Sequence, residues 1–152
     1  MSGETEVFFY HHENRTLEQV LPALLERSLE RGWRAAVQAT SQERVDALNT
    51  LLWTYREDSF LPHGADADGS SESQPIYLTD TDANPNAAAV RFLVDGASLD
   101  VAAEYERVDH IFDGHDADAV ARAREAWSVA KERGLSVSYW QQDENGRWQQ
   151  KA

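Results

Sequence analysis

The sequence predicts an α/β domain of three layers, a largely parallel sheet with helices on both faces. Short apolar and aromatic runs alternate along the chain with longer segments whose apolar residues recur every three to four positions, the pattern of strands separated by amphipathic helices. The length of 152 residues suits one domain, 1–152, and 41% hydrophobic with 27% charged residues is an ordinary globular balance.

Residues 6–10 (EVFFY) read as the first strand. Thr16 and Gln19 then match a capping box. Leu17, Val20, Leu21, Leu24, Leu25 and Leu29 follow one buried helical face, which Gly32 ends. Pro22 is expected to kink the first turns of this helix. Residues 34–39 (RAAVQA) read as the second strand. Thr40 and Glu43 repeat the capping-box pattern, and Val45, Leu48 and Leu52 make the stripe of a second helix ending near Trp53. Residues 54–75 read as a loop with an acidic, turn-forming stretch at 66–73 (DADGSSES) and one apolar island, Phe60-Leu61-Pro62. Residues 75–79 (PIYLT), 90–94 (VRFLV) and 107–112 (RVDHIF) are the next three strands, with a turn of helix expected over 98–103. Little helix separates these strands, so a mixed sheet edge is expected within 75–112. Asp116 is the expected N-cap of a last helix running to about Arg133 and stopped by Gly134. Residues 135–140 (LSVSYW) form the sixth strand, and QQDENGRWQQKA closes the chain.

Composition narrows the function. The absence of cysteine removes disulfides, Cys-based zinc sites and thiol nucleophiles. The opening MSGETEVFFYHHENR lacks the basic start and apolar run of a secretory signal, and no apolar stretch approaches the roughly 18 residues of a membrane helix. A soluble, cytoplasmic protein without membrane contact is expected. Asp and Glu number 27 against 14 Lys and Arg, a net charge of −13. Such a surface repels a polyanion, so direct nucleic-acid binding by a broad face is not expected, and an anionic partner must dock on a local basic spot.

The turn after the first strand, HHENRT, contains no glycine and carries Glu13. No GxxxxGK[ST], GxGxxG or GxSxG occurs anywhere, so the first strand and following helix, which invite a mononucleotide-binding reading, come without a phosphate loop. His11 and His12, with His110, Asp113, His115 and Asp116, fall at the ends of the first and fifth expected strands, where open α/β sheets bind ligands. They admit two alternatives: a metal-dependent phosphohydrolase using His11, Asp113 and His115, or a degenerate nucleotide-sensing domain. Their spacings are not specific to a metal, and His11 and His12 point to opposite faces of a strand. No metal or cofactor is expected.

Residues 51–64 (LLWTYREDSFLPHG) place a tryptophan at a helix end, then an apolar pair locked by proline in an acidic loop. Phe60 and Leu61 either tuck onto the core or anchor another protein. This stretch resembles the chi subunit of bacterial DNA polymerase III holoenzyme through Leu52-Trp53, Ser59-Phe60, Leu61 and Pro62-His63. Phe9-Tyr10, the ERGWRA run around Trp33, the last-helix pattern of Arg124, Trp127 and Gly134, and Tyr139-Trp140 extend the likeness over nearly the whole chain. The resemblance implies a non-catalytic clamp-loader accessory protein in DNA replication. One surface would bind the psi subunit or an equivalent clamp-loader component. Another would bind the acidic C-terminal tail of single-stranded DNA-binding protein, which ends in Pro-Phe with a free carboxylate. It places Phe60, with Leu61 and Pro62, in the loop that meets psi, and Trp53, Arg124 and Trp127 around the tail pocket.

The last helix supports a tail site on its own terms. At 100° per residue, Val120, Arg124, Trp127 and Lys131 fall within about 60° of one another. Two cations bracket an aromatic on an otherwise negative protein. A guanidinium takes a carboxylate in bidentate fashion, and an aromatic wall takes a ring. Chi relatives can carry cations where this chain has Val120 and Ser128. Lys131, or Arg122 from the neighbouring stripe, is the candidate replacement.

Overall fold

The computed structural model describes residues 5–13, 15–54, 63–65, 74–97 and 105–152. In chain order the elements are β1 (Glu6–His12), α1 (Leu17–Glu30), β2 (Ala35–Gln38), α2 (Gln42–Thr54), β3 (His63–Ala65), β4 (Ile76–Thr79), β5 (Val90–Leu93), β6 (Arg107–Asp113), α3 (Ala117–Glu132), β7 (Ser136–Gln142) and β8 (Trp148–Gln150). The strands form one sheet in the order β3-β4-β2-β5-β6-β1-β7-β8. Every pairing is parallel except β7 with β8.

Helices cover both faces, as expected. Leu21, Leu24 and Leu25 of α1 and Val45 and Leu48 of α2 pack on Val37, Ile76, Leu78, Val90, Phe92 and Ile111. On the other face, Ala123 and Ala130 of α3 pack on Val7, Phe9 and Phe112. The chain leaves β1 through α1 towards β2 and leaves β6 through α3 towards β7, in opposite directions along the sheet. Right-handed crossovers then put the two helices on opposite faces and open a crevice at the carboxyl ends of the adjacent strands β1 and β6.

Three local expectations are corrected. The mixed edge is at β7–β8 rather than within 75–112. Asp143 accepts the amides of Asn145 and Arg147 at 2.8 and 2.9 Å, and Gly146 takes φ 78°, a tight reversal that lets the tail pair back as a strand. β3 lies inside the expected loop, where three residues extend the opposite edge. The cap of α2 is Ser41, one residue after Thr40: its hydroxyl accepts the Arg44 amide at 3.2 Å and its carbonyl the Val45 amide at 3.1 Å. α1 runs as one element from Leu17 to Glu30 with Pro22 inside it and buried. The helical turn expected over 98–103 lies outside the described residues.

The caps of α1 and α3 are those expected. Gln19 Oε1 accepts the Thr16 amide at 3.0 Å. Asp116 Oδ1 accepts the amides of Asp118 and Ala119 at 3.0 and 3.2 Å, and Gly134 ends the helix region at φ 76°. Asp116→Ala is expected to lower stability by about 1 kcal/mol, read from the urea midpoint, whereas Asp116→Asn keeps most of it.

Candidate peptide-binding notch

Strand alternation and register build the floor of the site. Phe9 and His11 of β1 point to the α3 side, and the parallel pairing sets Phe9 beside Tyr139 of β7. The outer turns of α3 then overhang these rings. The result is a notch of about 450 Å³ in which Val120, Arg124 and Trp127 of α3 face Phe9, Phe112 and Tyr139 of the sheet. His11, Ala123, Ser128 and Ala152 complete its lining. Trp127 meets Phe9 at 5.4 Å and Tyr139 at 6.2 Å between ring centroids, and Phe112 meets Tyr139 at 6.1 Å. These tilted and edge-to-face contacts are the favoured aromatic geometry.

Trp127 and Val120 are half-buried, whereas Arg124 and Lys131 are exposed. Lys131 Nζ stands 5.5 Å from the Trp127 ring centroid, over its face. Among the described residues Arg124 has no carboxylate partner within ion-pair distance. Burial pushes the Tyr139 hydroxyl above its ordinary pKa; Glu13 adds to the rise and Arg124 opposes it. An aromatic recess with an unpaired guanidinium at its rim can take a ring and an adjoining carboxylate together.

The helical face read from the sequence therefore has three members, Val120, Arg124 and Trp127, in one cavity, with Lys131 against the indole. Trp53 lies on α2, whose principal contacts are with β3, β4 and α1. Phe60, Leu61 and Pro62 lie outside the described residues. Arg122 turns away from the notch towards Gly96, where a Cβ would come 3.0 Å from its Nε. His11, Phe112, Tyr139 and Ala152 were not anticipated. Their signal is strand alternation, which marks a face but not the neighbours that share it.

A second cavity, about 550 Å³, occupies the crevice at the ends of β1 and β6. Carboxylates of Glu13, Glu18, Asp95, Asp113 and Asp116 line it together with the guanidiniums of Arg15, Arg44 and Arg122, and Gln19 and Asp116 cap the helix starts that open on it. A phosphate there would face five carboxylates against three guanidiniums and find the amides of Thr16, Asp118 and Ala119 engaged. The three metal-site candidates are spent locally. His11 Nδ1 bonds the Tyr139 hydroxyl, Asp113 Oδ1 accepts the His115 amide at 2.8 Å, and His115 Nε2 lies 3.0 Å from the Glu13 carbonyl. Among the described residues no three His, Asp or Glu side chains are grouped to hold a metal ion.

Fold and cavities together define a three-layer α/β domain whose crevice at the strand ends carries more carboxylates than cations and whose aromatic recess lies under its last helix. The sequence pattern of the DNA polymerase III chi subunit, HolC, matches residues 5–138, and the chain belongs to this family. A protein of Rickettsia prowazekii (strain Madrid E), described as a probable DNA polymerase III subunit chi, is 32% identical over 90 residues. That match covers 59% of this chain and 54% of the relative, about half its length. No helix among the described residues is long and apolar enough to cross a membrane.

Proposed function

We propose that the chain is a non-catalytic accessory subunit of the polymerase III clamp loader, working in the cytoplasm during DNA replication. It bridges the clamp loader to single-stranded DNA-binding protein by gripping that protein's acidic C-terminal tail in the α3 notch. A psi subunit, or an equivalent component, meets the loop carrying Phe60, Leu61 and Pro62. The chain touches no DNA itself, in keeping with its net charge of −13.

The observation that carries this reading is the pairing of Arg124 and Trp127 in one recess. Burying a terminal phenylalanine ring there contributes roughly 1.5–3 kcal/mol. Each charge-assisted hydrogen bond to the terminal carboxylate contributes about 1.5–3 kcal/mol before ordering costs. Val120 and Ser128 add no charge, so the attraction rests on few cations and its salt dependence is shallow.

Calorimetric titration with a short acidic peptide ending in Pro-Phe tests it. The protein is expected to bind the peptide. Arg124→Ala, or amidation of the peptide terminus, is expected to weaken binding about tenfold or more. No binding by the wild-type protein, or equal affinity in the variant, overturns the reading.

A further inference from the structure

The floor of the notch holds a chain of polar contacts that tail binding as described above does not use. The Tyr139 hydroxyl bonds to His11 Nδ1. On the other side of the imidazole, Nε2 lies 2.7 Å from Glu13 Oε1. Gln141 Nε2 donates to the same carboxylate oxygen at 2.6 Å. The bond to Nδ1 ties down the Tyr139 hydroxyl, and with it the ring, whichever of the two atoms donates. The imidazole also packs on Phe112, 5.1 Å between centroids.

Behind His11 stands Gly114, in the turn between β6 and α3. A Cβ at Gly114 would lie 1.8 Å from His11 Nε2 and 2.9 Å from Glu13 Cγ. Any larger residue must push the imidazole aside. Gly114 is absent from the lining of the notch, yet it sets where His11 stands, and His11 sets where Tyr139 stands.

We propose that Tyr139, pinned by His11 over Gly114, is the wall that makes the notch select a partner chain ending in an aromatic side chain. The inference rests on the tail-binding reading and assigns its specificity. Trp127 and Tyr139 stand at 76° to each other, and both are within reach of a ring inserted between α3 and β7. Such a ring gains edge-to-face contacts that a leucine of similar volume does not. Arg124 reads the carboxylate whatever the side chain, so it contributes equally to both peptides. Tyr139 is the specificity residue; His11 and Gly114 are positioning residues that act through it.

The measurement is the ratio of affinities for two acidic peptides identical except for a terminal Phe or Leu. Wild-type protein is expected to favour Phe by roughly three- to tenfold. Tyr139→Ala brings the ratio to about one while both peptides still depend on Arg124, and Tyr139→Phe, which keeps the ring but not the bond to His11, lowers it only part of the way, to the level of Gly114→Ala. Gly114→Ala lowers the ratio, and in a His11→Ala background the same substitution changes it no further. Thermal unfolding checks that each variant is folded. Wild-type binding with no preference, or an unchanged ratio in folded Tyr139→Ala, overturns the inference and leaves tail binding standing. A loss of ratio in Gly114→Ala that persists undiminished in the His11→Ala background overturns the route through His11. Absence of binding to either peptide by wild-type protein overturns both readings together.

Discussion

Arg91→Leu is expected to cost about 3–5 kcal/mol of folding stability, the largest loss for any single substitution considered. The residue sits in the middle of β5 and is fully buried. Its guanidinium donates to Gln38 Oε1 at 3.0 and 2.8 Å, to the carbonyl of Ala83 at 2.7 Å, to that of Thr81 at 2.5 Å and to the Tyr105 hydroxyl at 3.1 Å. Arg91 and Val108 share the α3 side of the sheet, but α3 itself packs on β1, β6 and β7. Over the β2–β5 half of that face runs the connection from β4 to β5, and the planar fork of Arg91 holds its backbone down. Leucine would fill part of the volume and leave the buried Gln38 amide oxygen without this donor, at about 1–3 kcal/mol, and would release the part-buried carbonyls of Thr81 and Ala83 as well. Lysine keeps the charge but cannot span the same acceptors, so Arg91→Lys should recover only part of the loss. Urea unfolding at neutral pH gives the answer, with an unchanged slope showing that the midpoint shift is stability alone. A loss under 1 kcal/mol would show that the connection is held by other contacts.

That arginine also marks what local pattern can convey. VRFLV reads as a buried strand because four of its five residues are apolar, and β5 runs from Val90 to Leu93 as that pattern requires. Nothing in the run shows that its one cation is central to a polar network, because the acceptors lie 8, 10, 14 and 53 residues away. The six longer strands and three helices were legible for the same reason as VRFLV: burial on one or both faces imposes a period. β3 and β8 are three-residue edge strands, too short for a period to register. The Thr40–Ser41 pair offers two hydroxyls to cap one helix, and only the helix start decides between them.

The notch divides along the same line. A helix carries its own geometry, so the spacing of Val120, Arg124 and Trp127 was sufficient to bring them together on one face. The opposing wall comes from three strands that meet through pairings 100 or more residues apart in sequence, such as Phe9 with Tyr139 and Tyr10 with Ile111. Residue types and alternation on one strand say nothing about such partners. His11 shows the consequence: its composition suggested a metal ligand, whereas its neighbours make it the support of a tyrosine.

The stability–pH profile should turn on two adjacent residues of β6 that face opposite sides of the sheet and pull in opposite directions. Burial pushes the Asp109 carboxyl from 3.8 up to about 7, and the Arg107 guanidinium, 2.9 Å away, opposes the rise without cancelling it. Such an acid takes up a proton on folding. Its favourable contribution is present below its unfolded value and is lost as pH rises through about 7, a change of about 4 kcal/mol. Burial pushes His110 from 6.5 down to about 4, with Arg122 adding to the depression. This base releases a proton on folding, so its contribution is complete above its unfolded value and is lost as pH falls from 6.5 towards 4, about 3 kcal/mol in all. Between pH 4 and 6.5 the two slopes offset each other, and above 6.5 only the fall from Asp109 remains. Asp109→Asn should remove that fall and uncover a rise between pH 4 and 6.5. His110→Phe, whose ring still fits beside Phe9 and Phe112, should instead uncover a decline that begins near pH 4. Urea midpoints at half-unit intervals, taken as differences from wild type, cancel every other titrating group common to the three proteins. Parallel profiles for all three would mean that neither buried group exchanges a proton on folding.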